Sequence, residues 1–291
     1  SVVLSQIFPV FILPIFYKIK PIENESLKQN ISTLAKNADL KVENVYSFDI
    51  SKNTKNANAA FTGLGKTSLA AIFPKPIFIR AEDGLQAIPT ATRPDAFPLL
   101  SNVDMLWEQL TALIKEDHDY KTLVIDSVTQ LDNLFTNHIV DTDPKKPRTI
   151  AQALGGYGAG FQALSSLHGR VRKAAGILNE TKGMNIVFIA HSETETIELP
   201  DQDPYTRYNI RMQKKSVSHY TDNTDLVGYL KLETHTFGDG ERKKAISDGT
   251  RILVTYASAA NISKNRYGIS DDLLVVNGTN PLLTLIPSIG A

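Results

Sequence analysis

The sequence predicts an α/β domain: a mostly parallel sheet with helices on both faces. Three observations predict it. Short apolar runs of strand length recur at Pro76–Arg80, Thr122–Ile125 and Asn185–Ala190, without the polar alternation of a half-exposed sheet. Longer segments with apolar residues at helical spacing separate them, namely Val103–Lys115 (through Leu106, Leu110 and Leu113), Val128–Val140 and Phe161–Leu178. Each run also ends in polar residues, where sites gather in such sheets.

The remaining elements follow in order. Residues 1–60 form an atypical N-terminal leader, set apart from a domain over 61–291. Val2–Tyr17 is apolar but interrupted by Pro9 and Pro14, and shorter than the roughly 20 residues of a spanning helix. No membrane association is expected. Leu27, Ile31, Leu34 and Ala35 suit a short amphipathic helix, Val45–Ile50 a strand, and Ser51–Ala60 a loop. Lys66–Phe73 reads as a helix stopped by Pro74. Leu226–Glu233 and Ile252–Tyr256 read as strands, as do the shorter Leu273–Val276 and Leu282–Ile286. Ser192–Lys215 reads as irregular, acidic first and basic after.

At 291 residues the chain can bury a substantial core. Lys+Arg and Asp+Glu balance at 31 each, so any nucleic-acid contact must come from a local patch. There are no cysteines, which excludes disulfides, thiolate metal sites and cysteine nucleophiles, and fits an intracellular protein.

Gly63-Leu64-Gly65-Lys66-Thr67-Ser68 carries the end of a P-loop pattern, G-x-x-x-x-G-K-[ST]. In such loops backbone N–H groups wrap phosphates and the following helix points its positive end at them. Lys66 then reaches the β/γ-phosphates of ATP and the Thr67 hydroxyl ligates Mg²⁺. The first glycine of the pattern falls at Ala60, and the polar lead-in Lys52–Ala59 lacks the apolar strand that feeds such a loop. Three strand ends supply partners. Asp126 suits a Walker B role holding Mg²⁺, with capping of the next helix as the structural alternative. Glu82 is the candidate for orienting the attacking water, with Asp83 second and an ordinary turn third. His191 suits a γ-phosphate sensor or a purely structural role.

Taken in order, GLGKTSLAAIFPKPIFIRAEDGL, DYKTLVIDSVTQLDNL, MNIVFIAHSETE and DNTDLVGYLKLE resemble the RecA-core ATPases. They most resemble the short phage-encoded RecA-like or AAA-type ATP-binding proteins related to single-strand annealing recombinases. The resemblance runs from about Phe61 to about Gly268. It implies a RecA-like P-loop core with antiparallel C-terminal strands, Mg²⁺ and ATP as cofactors, and association into a homo-oligomer in the cytoplasm of a bacterial host. It places Lys66 and Thr67 at the phosphate and Mg²⁺ positions, Glu82 at the catalytic glutamate, Asp126 at the Walker B acid and His191 at the sensor. Lys264 and Arg266 match a basic motif that reaches a neighbouring subunit's nucleotide; a solvated basic turn is the alternative. Residues 1–60 depart from the family, as a frameshifted or misassembled leader would.

The stretch after His191 corresponds in position to a DNA-contacting loop of RecA-like proteins. Tyr205, Arg207, Tyr208, Arg211, Lys214 and Lys215 interleave rings with cations, a combination suited to single-stranded DNA. The acidic half before them (Glu193, Glu195, Glu198, Asp201, Asp203) opposes that contact. Three functions follow: an ATP-hydrolysing protein acting on single-stranded DNA, a nucleotide-binding module without turnover, or a small-molecule kinase.

Overall fold

The computed structural model describes residues 19–21, 46–48, 58–233, 235–237, 244–246 and 249–290. The chain divides into two compact units, 1–55 and 56–291. In the first, β1 (Ile19–Pro21) pairs antiparallel with β2 (Tyr46–Phe48), Ile19 opposite Phe48. The expected helix around Leu27–Ala35 and the apolar run 2–17 lie outside the described residues.

In the second unit, one sheet is built around five parallel strands: β3 (Asn58–Gly63), β4 (Pro76–Arg80), β6 (Thr122–Asp126), β7 (Asn185–Ile189) and β10 (Leu226–Leu232). Their order across the sheet is β10-β3-β7-β6-β4, and the short β5 (Asp95–Ala96) extends the β4 edge. Beyond β10 the sheet turns antiparallel. β13 (Arg251–Val254) and β14 (Lys264–Asn265) pair with β10, and β15 (Leu273–Val275) pairs with β13. The expected α/β arrangement, mostly parallel with antiparallel C-terminal strands, is therefore present.

Strand periodicity divides the core in two. Ile77, Ile79, Leu123, Ile125, Ile186 and Phe188 face α2 (Val103–Lys115), α3 (Val128–Thr142) and α4 (Ala159–Lys182). Phe61, Phe78, Val124, Val187 and Ile189 face Leu69, Ala70 and Phe73, in and just after α1 (Lys66–Ala70), and Leu282, Ile286 and Ile289. With both faces covered, the strands bury every side chain along β6 and β7, which explains their unbroken apolar runs. Asn102 caps α2 through the Met105 amide, and Ser127 caps α3 through that of Gln130. The cap of α3 is thus Ser127, not Asp126.

Three sequence expectations are corrected. Ser51–Ala60 is not all loop: from Asn58 the chain is strand, and β3 pairs parallel with β7 on one side and β10 on the other. Ser192–Lys215 is not irregular but a hairpin, β8 (Ser192–Leu199) with β9 (Gln202–Ile210), leading into α5 (Lys214–Thr221). Leu282–Ile286 is not a strand: Pro281–Leu285 forms α6, with Pro281 at its start and the Asn280 side chain accepting from the Leu282 amide. β11 (His235–Phe237) and β12 (Lys244–Ile246) also pair, while the basic residues Arg242 and Lys243 lie outside the described residues. No described helix is long and apolar enough to cross a membrane.

Candidate functional site

Three adjacent strands, β7, β6 and β4, end side by side, and their tips bring together the residues picked out along the sequence. Asp126 ends β6. Its carbonyl accepts from the amides of Ala81 (2.7 Å) and Glu82 (3.2 Å), which fixes the β4 tip against the β6 tip. The peptide from Asp126 to Ser127 is cis. His191 follows β7, its amide held by the Thr129 hydroxyl at 2.9 Å.

Directly after β3, α1 delivers Thr67, whose hydroxyl donates to Asp126 Oδ2 at 2.8 Å. His191 Nε2 lies 2.7 Å from Glu82 Oε1. Asp83 turns elsewhere, accepting from Arg80 (3.1 Å) and Gln86 (2.6 Å), so Glu82 is the carboxylate that joins the cluster. Gly84 completes the wall. A Cβ there would sit 2.8 Å from Asp126 Oδ2 and 2.9 Å from Thr67 Oγ1, so only glycine leaves that space open.

The electrostatics follow from this packing. Burial pushes the Asp126 carboxyl up to about 6; the neighbouring Glu82 charge adds to this, and the Thr67 hydroxyl and Lys66 oppose it. Burial also lowers the Lys66 ammonium, against the pull of Asp126 and Glu82. Burial alone would raise Glu82, but the hydrogen bond and charge of His191, the Ser127 hydroxyl and Lys66 outweigh it and hold Glu82 below its ordinary value. Glu82 is therefore ionised at neutral pH.

The residues fit a hard divalent cation. Asp126 Oδ1 is buried without a hydrogen-bond partner, beside an Oδ2 already bonded to Thr67. A carboxylate and a hydroxyl, both oxygen donors, suit Mg²⁺, which takes one or two carboxylates and completes its shell with water and substrate phosphate.

The phosphate segment departs from the pattern in its first half. β3 runs to Gly63 and α1 begins at Lys66, so Leu64 and Gly65 alone connect them. Ala60, Phe61 and Thr62, which align with the wrapping part of a P-loop, are strand residues instead. The Leu64 amide is spent on the Leu230 carbonyl at 2.9 Å. Gly63 and Gly65 both have positive φ, and a Cβ on Gly63 would collide with the Leu230 carbonyl. Lys66 Nζ donates to Gly63 O at 2.8 Å, and Ser68 lies half-buried in the first turn. A cleft of about 580 Å³ opens here, lined by Gly63, Leu64, Lys66, His191, Tyr208 and Tyr229, among others.

The other expected residues fall in three places. Tyr205 and Arg207 share one face of the hairpin and Tyr208 the opposite face, because the pleat alternates. Arg207 bonds Glu195 at 2.7 Å, so one acid of the first strand is paired with one cation of the second. Arg211 lies on the Lys66 side, its amide on the His191 carbonyl (2.8 Å) and its charge acting on Lys66. Lys214 and Lys215 are exposed at the start of α5. Lys264 donates to the Asp222 carbonyl at 2.9 Å and Arg266 pairs with Asp225 at 3.1 Å; both are held within their own chain. Two residues that motif reading missed also reach the site. The Arg251 guanidinium packs against Gly65, and Tyr229 lines the cleft. Arg251 belongs to no motif, and Tyr229, although it lies in the stretch DNTDLVGYLKLE, has no role assigned by it; the sheet register brings both there.

Comparison with known proteins adds a family. Curated relatives match over short stretches: CAAX prenyl protease 1 of Saccharomyces cerevisiae is 39% identical over 68 residues, 23% of this chain and 15% of that protein. The probable CAAX prenyl protease 1 of Schizosaccharomyces pombe is 33% identical over 88 residues, 30% of this chain and 19% of that protein. The chain thus spans less than a fifth of the length of these relatives. Among solved structures, a KaiC-like protein of Pyrococcus horikoshii OT3 aligns with a TM-score of 0.38 and 13% identity, over 75% of this chain and 84% of that one. The AAA domain model matches residues 52–267, most of the chain. The chain belongs to the AAA domain family, a family of P-loop ATPases.

Proposed function

We propose that this chain binds ATP with Mg²⁺, hydrolyses it, and couples the cycle to single-stranded DNA in recombination or annealing, as a phage-type RecA-like protein in the cytoplasm of its host. One observation carries the reading. Thr67–Asp126 and Glu82–His191 are two bonded pairs gathered at neighbouring strand tips beside Lys66. Lys66 holds the β/γ-phosphates, with Gly63, Leu64, Gly65 and Ser68 around it. Thr67 and Asp126 hold Mg²⁺, which when bound neutralises charge on the phosphate oxygens. Glu82, ionised and anchored by His191, accepts a hydrogen bond from the attacking water and aligns it.

The hairpin that starts one residue after His191 is the DNA-contacting element, with Tyr205, Arg207, Arg211, Lys214 and Lys215 as its contact residues; Tyr208, on the opposite face, turns to the Lys66 cleft instead. Subunits associate as homo-oligomers. Arg266, released from Asp225, and Lys264 then reach the neighbour's nucleotide.

Phosphate release from Mg-ATP, measured with and without single-stranded DNA, tests the whole. Glu82→Gln is expected to lower it about 100-fold or more while ATP binding persists. Release that is absent in every condition, together with no DNA affinity, would sink the reading.

A second reading has its own support. The two-residue connection from β3 to α1 leaves few amides to wrap a triphosphate, which suits a nucleotide-binding module without turnover. ATP binding with no phosphate release, unchanged by Glu82→Gln, would favour that module.

A further inference from the structure

We propose that the stacked pair Tyr208–Tyr229 is the base platform of the nucleotide site, taking the aromatic heterocycle of the same nucleotide whose phosphates Lys66 holds. The inference rests on the nucleotide-binding reading above and adds to it the end of the ligand that no motif covers.

The geometry carries it. The two rings lie 4.7 Å apart between centroids at 21°, and Tyr208 keeps 41% of its surface exposed although it is already stacked. Both rings line the same 580 Å³ cleft as Lys66 and His191. That size lies within the roughly 300–1,000 Å³ of small-ligand sites. An ammonium and a pair of aromatic rings in one cleft match the two halves of a nucleotide, anionic and aromatic.

The platform is also fixed in place. Tyr229 stands on β10 opposite Thr62 of β3, one step before the Gly63–Leu230 pair from which the chain enters α1. Tyr208 is tied down by its amide to the Ala260 carbonyl at 2.8 Å, and the hairpin base is closed by the Arg211 amide on His191. Rings held this way lose little freedom when a base docks. Stacking reads the face of a base rather than its edge, so the site ranks purine over pyrimidine nucleotides and separates ATP from GTP poorly.

The experiment titrates the full chain with Mg-ATP and, separately, with Mg-tripolyphosphate, which has the phosphates and no base. Wild type is expected to bind ATP about tenfold more tightly than tripolyphosphate. Tyr208→Leu and Tyr229→Leu should each remove that advantage and leave tripolyphosphate affinity unchanged; Tyr208→Phe should restore it. Equal affinity of wild type for the two ligands overturns the platform and spares the phosphate site. Equal loss of both ligands in both leucine variants also overturns it. Loss confined to a single-stranded oligonucleotide, with ATP affinity intact, assigns the rings to a polynucleotide and overturns it too. If wild type binds neither ligand, the nucleotide reading itself falls, and the platform with it.

Discussion

His191 Nε2 meets Glu82 Oε1 at 2.7 Å, and the bond spans the tips of β7 and β4 across the tip of β6, which lies between them. A residue expected to touch the γ-phosphate therefore spends that nitrogen on Glu82, the carboxylate proposed to align water. In that reading His191 acts through Glu82. Its substitution should move the titration of Glu82 as well as the rate.

For His191→Ala, Glu82 loses both a hydrogen bond and a nearby charge that hold its pKa down. Its pKa rises, so the ionised fraction falls at a higher pH than in wild type. The acid limb of the pH profile of phosphate release should shift upward, with a lower plateau. An unmoved acid limb would show that the bond does not govern Glu82.

Asp126 makes the opposite prediction for stability. Its folded pKa of about 6 exceeds the value of about 3.9 of an unfolded chain, so the folded state binds the proton more tightly. Without metal, the ionised carboxylate costs stability at neutral pH, and the cost fades as pH falls through 6 toward about 4. Asp126→Asn should then melt a few degrees above metal-free wild type at neutral pH and lose that lead near pH 4. Added Mg²⁺ should raise the melting temperature of wild type and leave the variant unchanged. Thermal melts over that pH range check both.

The hairpin carries a charge pair that can be opened. Glu195 accepts from Arg207 and from Asn209 (2.8 Å). Glu195→Gln should free the guanidinium and strengthen binding of a single-stranded oligonucleotide, with the salt dependence of log affinity steeper by up to about one. Unchanged affinity and slope would place the polynucleotide elsewhere.

A buried polar triad ties three helices together. His168, fully buried on α4, bonds Tyr220 of α5 at 2.8 Å and Asp132 of α3 at 3.0 Å. Tyr220→Phe leaves a ring nitrogen unpaired in the core and should cost about 1–3 kcal/mol of stability. Denaturant titration measures this, with ATP binding expected to survive.

Much of this fold was legible because β4, β6 and β7 are buried on both faces, so their apolar runs mark them without any partner. β3 was not legible. Asn58, Ala59 and Ala60 are weak strand formers, and the neighbours β7 and β10 on either side hold them extended. The hairpin misled for a related reason. Glu195 and Arg207 read along the chain as a mixed-charge loop and become a bonded pair once the strands are in register. Lys66, Thr67, Glu82, Asp126 and His191 could be read because each sits at a strand or helix end with its own pattern. Tyr229 and Arg251 sit within strands and reach the site through a register that spacing does not encode.

The close fit of Gly63 under the Leu230 carbonyl bears on how this loop can be engineered. A single residue added within β3 ahead of Gly63 would slide the strand past β7 and β10 and turn its core side chains to the wrong face. Residues added between Gly63 and Gly65 would leave that register alone and lengthen only the connection. Point of insertion, more than composition, therefore decides whether a longer phosphate loop can be grafted onto this sheet.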